Sequence, residues 1–316
     1  MIAAADLSAL RRQLFCLDGA TSFAILDGAS IPNLPAALLA HGSEHACLLR
    51  GALDPDMAQV APYLVVLGRS GSVTDWLLQS GWGKNWGILG ISPHDLHALH
   101  RHFRRCVEIE HAGKPYYFRY YDPAVLRNYL PTCTCAELRS FFGPVQWFLL
   151  EDEEPENALL FNLREGALQQ RAVRWQDNAP ALWADMAQPH GPEPSAALAE
   201  RLTLRTEQLE QLGRSIYVER MRGYLYATFP ETAKQSRKAL GKLIEDLTER
   251  AAGYKLVLET HVAPFIAAAL ILGLNFDEDY PVAQEVLLDY EMDCERKAQW
   301  LWDFVEVTAA RREEKR

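Results

Sequence analysis

Residues 116–131 constrain this chain more than any other stretch. Tyr116, Tyr117, Phe118, Tyr120 and Tyr121 form an almost wholly aromatic run of the kind that suits a pleated, half-buried strand, with Arg119 as a lone cation inside it. Asp122 then stands where a helix N-cap belongs and Pro123 where a first helical residue belongs. Leu126 and Leu130 follow four apart on one face. The pattern predicts a strand over 116–121 that turns directly into a helix over 123–129. A charge set among aromatics is costly unless paired, and the same holds for Asp27, which closes the apolar run 22–26. Both are expected to be paired inside one sheet domain, with each other as one candidate pairing; the alternative is that either is a polar contact for a partner.

Up to about residue 175, short apolar runs alternate with amphipathic ones. Strands are expected at 22–26, 46–49, 63–67, 86–91, 106–110, 116–121 and 146–150. A hairpin of 158–163 with 169–175 is expected to turn at Arg164, Glu165 and Gly166. Helices are expected near 34–40, 73–79, 93–105, 123–129 and 135–142, the third capped by Ser92 with Pro93 at its first position. Several connections are too short for parallel crossovers, so a mixed sheet with flanking helices is expected: an α/β domain over 1–176. Prolines concentrate in 177–194, read as a linker. Beyond it, 195–316 reads as an all-α domain, with helical stripes through Leu240, Leu243, Ile244 and Leu247 and through Ala283, Leu287, Tyr290, Cys294, Ala298, Leu301 and Val305.

The net charge of −10 excludes a nucleic-acid binder, which needs a basic footprint. Six scattered cysteines in 316 residues lack the density of a disulfide scaffold and fit reduced thiols in the cytoplasm. Asp6, Arg11 and Arg12 interrupt any signal-peptide core. The uncharged stretch 260–276 is shorter than the roughly 20 residues a bilayer span requires and contains His261 and Pro264, so it reads as a buried helix.

No complete catalytic constellation emerges, and neither a cofactor nor a metal is expected. His94, His97, His100 and His102 share a helix, but spacings of three, three and two drift around it, and the glutamate of a zinc-protease motif is absent. Arg101, Arg104 and Arg105 make that helix basic within an acidic chain, a contact surface for an acidic partner. Gly68, Ser70 and Ser72 approximate a nucleophile elbow without its last glycine. Cys133 and Cys135 are one residue too close for a redox dithiol. Gly81, Trp82, Gly83, Lys84, Asn85, Trp86 and Gly87 lack the ending of a phosphate loop; they read as a sharp turn packed by two indoles, or as a groove lined by Trp82 and Trp86. The acidic run from Glu151 to Glu154 reads as a solvated loop.

Taken in order, these fragments resemble a known family. Leu26, Asp27, Gly28 and Ala29; Ala61 to Val65 with Trp76 to Leu78; Gly81 to Ile88; His100 to Arg105; Arg119 to Pro123 with Leu126; and Phe141 to Val145 together resemble the adaptor (effector-chaperone) family of bacterial type VI secretion systems. The resemblance runs from about residue 21 to about 147 and says little of the C-terminal part. It implies a non-enzymatic protein that binds a secreted effector and helps load it onto the VgrG spike, with Asp27, Trp82, Trp86, Arg101, Arg104, Arg105, Arg119, Tyr121 and Asp122 as partner-binding or fold-specifying residues. The C-terminal domain would select the cargo. The rival expectation is a hydrolase working through Ser70 or a His94/His97 metal site.

Overall fold

The structure, a computed structural model, describes residues 4–153, 157–174 and 202–313. The chain forms two compact units, Met1–Ile216 and Tyr217–Arg316, each with its own core. The expected linker at 177–194 lies outside the described residues. Leu202, Leu204 and Leu212, on its C-terminal side, are buried in the core of the first unit.

The first unit is built on a seven-stranded sheet. Its strands are β1 (Thr21–Asp27), β2 (His45–Cys47), β3 (Pro62–Leu67), β4 (Gly87–Ser92), β7 (Trp147–Glu151), β8 (Asn157–Arg164) and β9 (Ala167–Arg174), in the spatial order β2-β3-β1-β4-β7-β8-β9. Alternate residues face opposite layers. Phe23, Ile25, Ile88, Phe148 and Phe161 pack under α5 (Leu96–Cys106), α6 (Pro123–Tyr129) and α7 (Cys135–Phe142). Ala24, Leu26, Val65, Leu89, Ile91 and Leu149 pack under α1 (Ala4–Leu14), α2 (Leu34–Ala40) and α4 (Ser72–Trp76). Burial on both faces explains why β1 reads as an unbroken apolar run rather than an alternating one.

The expected architecture of a sheet flanked by helices, followed by a helical region, is observed. The strand directions differ from the mixed sheet expected, because among the described residues every pairing within this sheet is antiparallel. The reason lies in strand order. β3 and β4 run the same way and are joined through α4, as in a parallel crossover, but β1 lies between them and runs against both.

Two further local expectations are corrected. The aromatic stretch is a strand only in its first part: β5 (Glu108–His111) and β6 (Lys114–Tyr117) form a separate hairpin, and residues 119–121 turn toward α6. The hairpin loop places both Ala112 (φ 50°) and Gly113 (φ 75°) in the left-handed region that a two-residue turn demands, with alanine where asparagine usually signals it. Ser92 does not cap α5. It ends β4, donates to the Pro144 carbonyl at 2.7 Å, and leaves the cap to Asp95, which accepts from Ala98 N at 2.9 Å. The Glu165–Gly166 turn between β8 and β9 falls where the sequence placed it.

The second unit is helical throughout its regular elements. The uncharged stretch becomes the helix Glu259–Leu272, whose Val262, Phe265, Ile266 and Ala269 fill the core against Leu301 and Val305 of Cys294–Glu313. Among the described residues no helix is long and apolar enough to cross a membrane. The continuous stripe expected from Ala283 to Val305 is broken into Pro281–Leu288 and Cys294–Glu313. Asp293 causes the break by accepting from Arg296 N at 2.8 Å, which starts a new helix. Lys297, buried, closes the preceding helix by donating to the Leu287 carbonyl at 2.7 Å.

Candidate functional site

Four segments meet at one end of the sheet, because in an antiparallel array the C-terminal ends of β1 and β7 lie beside the N-terminal end of β4. Leu26 faces Gly87 across one ladder and Leu89 faces Leu149 across the next. This places Asp27, the loop 82–86 and Glu151 together, and Arg119 reaches the same end from the turn before α6.

Asp27 is the centre of the arrangement. Its backbone N donates to the Trp86 carbonyl at 2.9 Å, which extends the ladder by one rung. The side chain is 2% exposed, yet its oxygens are well supplied: Ala29 N donates at 3.1 Å, Ser30 Oγ at 2.7 Å and Arg119 Nη2 at 2.7 Å. Next to it, Gly28 cannot carry a side chain, since a Cβ would stand 2.4 Å from the Ala61 carbonyl oxygen and 2.5 Å from that of Gln59. That close approach sets the C-terminal end of α3 (Pro55–Val60), with its exposed Val60, beside the turn.

The expected pairing of Asp27 with Arg119 is therefore present, but it is asymmetric. The carboxylate is buried, whereas the arginine side chain is 51% exposed. Its Nη2 lies 2.7 Å from the Asp27 carboxylate and 3.7 Å from that of Asp122. Asp122 also caps α6 through Ala124 N at 3.0 Å, and burial raises its pKa while that N–H and Arg119 draw it back. Burial, followed by the Asp27 charge, pushes the Tyr121 phenol up to about 12. The Tyr121 phenol therefore stays protonated near neutrality, as a hydrogen-bonding group rather than a proton-transfer group.

The indole loop packs beside this cluster. Trp86 lies 5.0 Å from Trp76 and under Lys84 Nζ at 5.3 Å, and a Cβ on Gly81 would meet its ring at 2.5 Å. Trp82 and Trp86 are both half-buried against the α4 side of the sheet. Sequence reasoning missed Glu151 and Arg127. Glu151 is a buried strand residue rather than part of a solvated loop: its Oε2 accepts from Asn85 N at 3.1 Å, with Asn85 held at φ 53°. Arg127 Nη1 donates to the Glu151 carbonyl at 3.1 Å, and Arg127 Nη2 lies 3.7 Å from Glu153. The legible signal was a single carboxylate closing an apolar strand, the same pattern that drew attention to Asp27.

The other candidates are dispersed. Arg101 and Arg105 are exposed on α5, and Arg104 is half-buried. The histidines of that helix point to different partners: His100 Nε2 donates to the Cys47 carbonyl and His102 Nε2 to the Phe141 carbonyl, both at 2.8 Å. His94 is half-buried and His97 exposed. Among the described residues no three potential metal ligands cluster. Ser70 is exposed in the loop between β3 and α4. Within that loop region the nearest serine–histidine contact belongs instead to Ser72 and His41, at 3.1 Å, and Ser72 Oγ also bonds the His41 carbonyl at 3.2 Å.

The class defined by these features is an antiparallel sheet domain with an ion-paired, partly open end, followed along the chain by a helical unit. A family model described as "Domain of unknown function (DUF4123)" matches residues 22–140, which takes in β1 through most of α7 and includes Asp27, Trp86, Arg119 and Asp122. No curated protein and no solved structure matches the chain.

Proposed function

We propose that the chain is a non-enzymatic adaptor that binds a type VI secretion effector, helps load it onto the VgrG spike, and docks a partner at the Asp27–Arg119 end of the sheet. The domain match over 22–140 supports the reading, since it covers most of the span on which the sequence resembles that adaptor family. The observation that carries it is the asymmetry of the ion pair. A cation anchored on a buried carboxylate, with half its surface open to solvent, is a preorganised donor, and exposed Val60 lies beside the turn it locks.

The experiment is co-expression of the full chain with an effector and a spike protein from the same gene cluster, followed by affinity capture. The wild type should retain both, and Arg119→Ala should lose at least one while remaining folded. A protein that instead turns over ester or peptide substrates, with activity abolished at Ser70 or at His94 and His97, would replace this reading with the hydrolase.

A further inference from the structure

A second surface, on the helical unit, uses none of the residues above. The loop before the Glu259–Leu272 helix and the loop between Pro281–Leu288 and Cys294–Glu313 are tied together. Cys294 Sγ meets the Lys255 carbonyl at 3.3 Å, and Lys255 Nζ sits over the Tyr290 ring at 4.8 Å. Lys255 itself adopts φ 66°, a left-handed corner that sends the chain on through Val257 and Leu258. These two and Tyr290 are among the most exposed large apolar side chains described, at 71%, 57% and 78%. Leu256, between Lys255 and Val257, is fully buried, so the corner is fixed from below.

The rim of this surface is acidic. Asp289, Glu291, Asp293 and Glu295 follow one another along the second loop and into the next helix, and all are exposed. The cations among them are committed: Arg296 lies 3.4 Å from Asp293, and Lys297 is buried on the Leu287 carbonyl. Lys255 is held over Tyr290, and Arg220 is paired with Glu259 at 2.9 Å. The rim therefore presents net negative charge around apolar anchors.

We infer that Val257, Leu258 and Tyr290 form a docking surface for a basic amphipathic helix of a partner protein. Its apolar face would cover the three anchors and its cations would meet Asp289 and Glu291. Helix docking on an exposed apolar surface uses anchors at helical spacing, and Tyr is a preferred interface anchor. The acidic rim selects the occupant, because it repels both an anionic membrane and a second copy of the same rim while steering a cationic helix.

The test uses the full chain and a fluorescein-labelled synthetic helix with leucines at i, i+3, i+4 and i+7 and lysines elsewhere. A scrambled peptide of the same composition is the control. The wild type should bind the helix more tightly than the scramble, and Val257→Ser/Leu258→Ser/Tyr290→Ser should weaken binding by about tenfold or more, the loss of one hot-spot-sized contact set. Asp289→Asn/Glu291→Gln, which keeps the local turn, should flatten the salt dependence. Tyr290→Ser alone gives the same direction if the triple variant melts early. Equal binding by the triple variant or by the scramble overturns the inference. So does patch-dependent self-association in sedimentation, or patch-dependent binding to phosphatidylserine vesicles. Because the anchors belong to the second unit and Asp27 and Arg119 to the first, the two readings share no residue, so failure here leaves the sheet-end reading standing, and the reverse also holds.

Discussion

Asp27 is almost fully buried, and three donors share its carboxylate, only one of which is Arg119. Removing the arginine therefore leaves a carboxylate that is still partly satisfied. Arg119→Ala should cost about 1.5–3 kcal/mol, the range for a hydrogen bond to a charged group, and less than the loss of a fully buried pair because the arginine is half exposed. A thermal melt shifted no more than that of a surface variant such as Arg101→Ala would show that the pair carries no stability. His102 makes a second prediction at this scale. Its Nε2 donates to Phe141 while Nδ1 is buried without a partner, so protonation would trap an unpaired N–H, and burial pushes its pKa down to about 4. The unfolded chain takes up this proton near pH 6.5 and the folded chain does not until about pH 4. Stability should thus fall as pH drops through that window, by up to about 3 kcal/mol from this group. Melting curves of wild type and His102→Asn, compared between pH 7 and pH 4, should show the steeper loss in wild type; parallel slopes would contradict it.

Among the elements, what was legible followed from local chemistry. The Asp122–Pro123 start of α6 and the Glu165–Gly166 turn came directly from residue types that permit few alternatives. The antiparallel order did not, because nothing in the sequence of β3, α4 and β4 reveals that β1 will insert between the strands they join. The same limit hid Glu151, whose partner Asn85 is distant in sequence. Half of the candidate site, Asp27 and Arg119, was visible as charge in apolar surroundings; that Arg119 would stay half exposed was not, since exposure depends on the turn at 119–121. In the helical unit an apolar stripe argued for one helix through Tyr290, and a single cap at Asp293 overruled it. Asp293→Ala should cost about 1 kcal/mol, and Asp293→Asn little, as read by denaturant unfolding. Equal values for the two would mean that the cap does not set the break.

At the scale of the whole molecule, Leu202, Leu204 and Leu212 decide where the first unit ends. Leu202 and Leu204 bracket Glu110 by backbone hydrogen bonds of 2.9 Å each and, with Leu212, join the sheet core. A fragment of residues 1–216 should therefore be more stable than one of residues 1–176 by several kcal/mol, since each buried leucine contributes about 1.5–3 kcal/mol. Equal melting temperatures would place the boundary back in the proline-rich segment. The adaptor account itself rests on one exposed cation with a buried anchor, and the affinity of the full chain for its cognate effector and spike tests it most directly. Titration calorimetry on wild type, Arg119→Ala and Arg101→Ala should show at least about tenfold weaker binding for the Arg119 variant alone, at a temperature where all three are folded. Unchanged affinity for both partners in folded Arg119→Ala would contradict docking at the Asp27 end of the sheet.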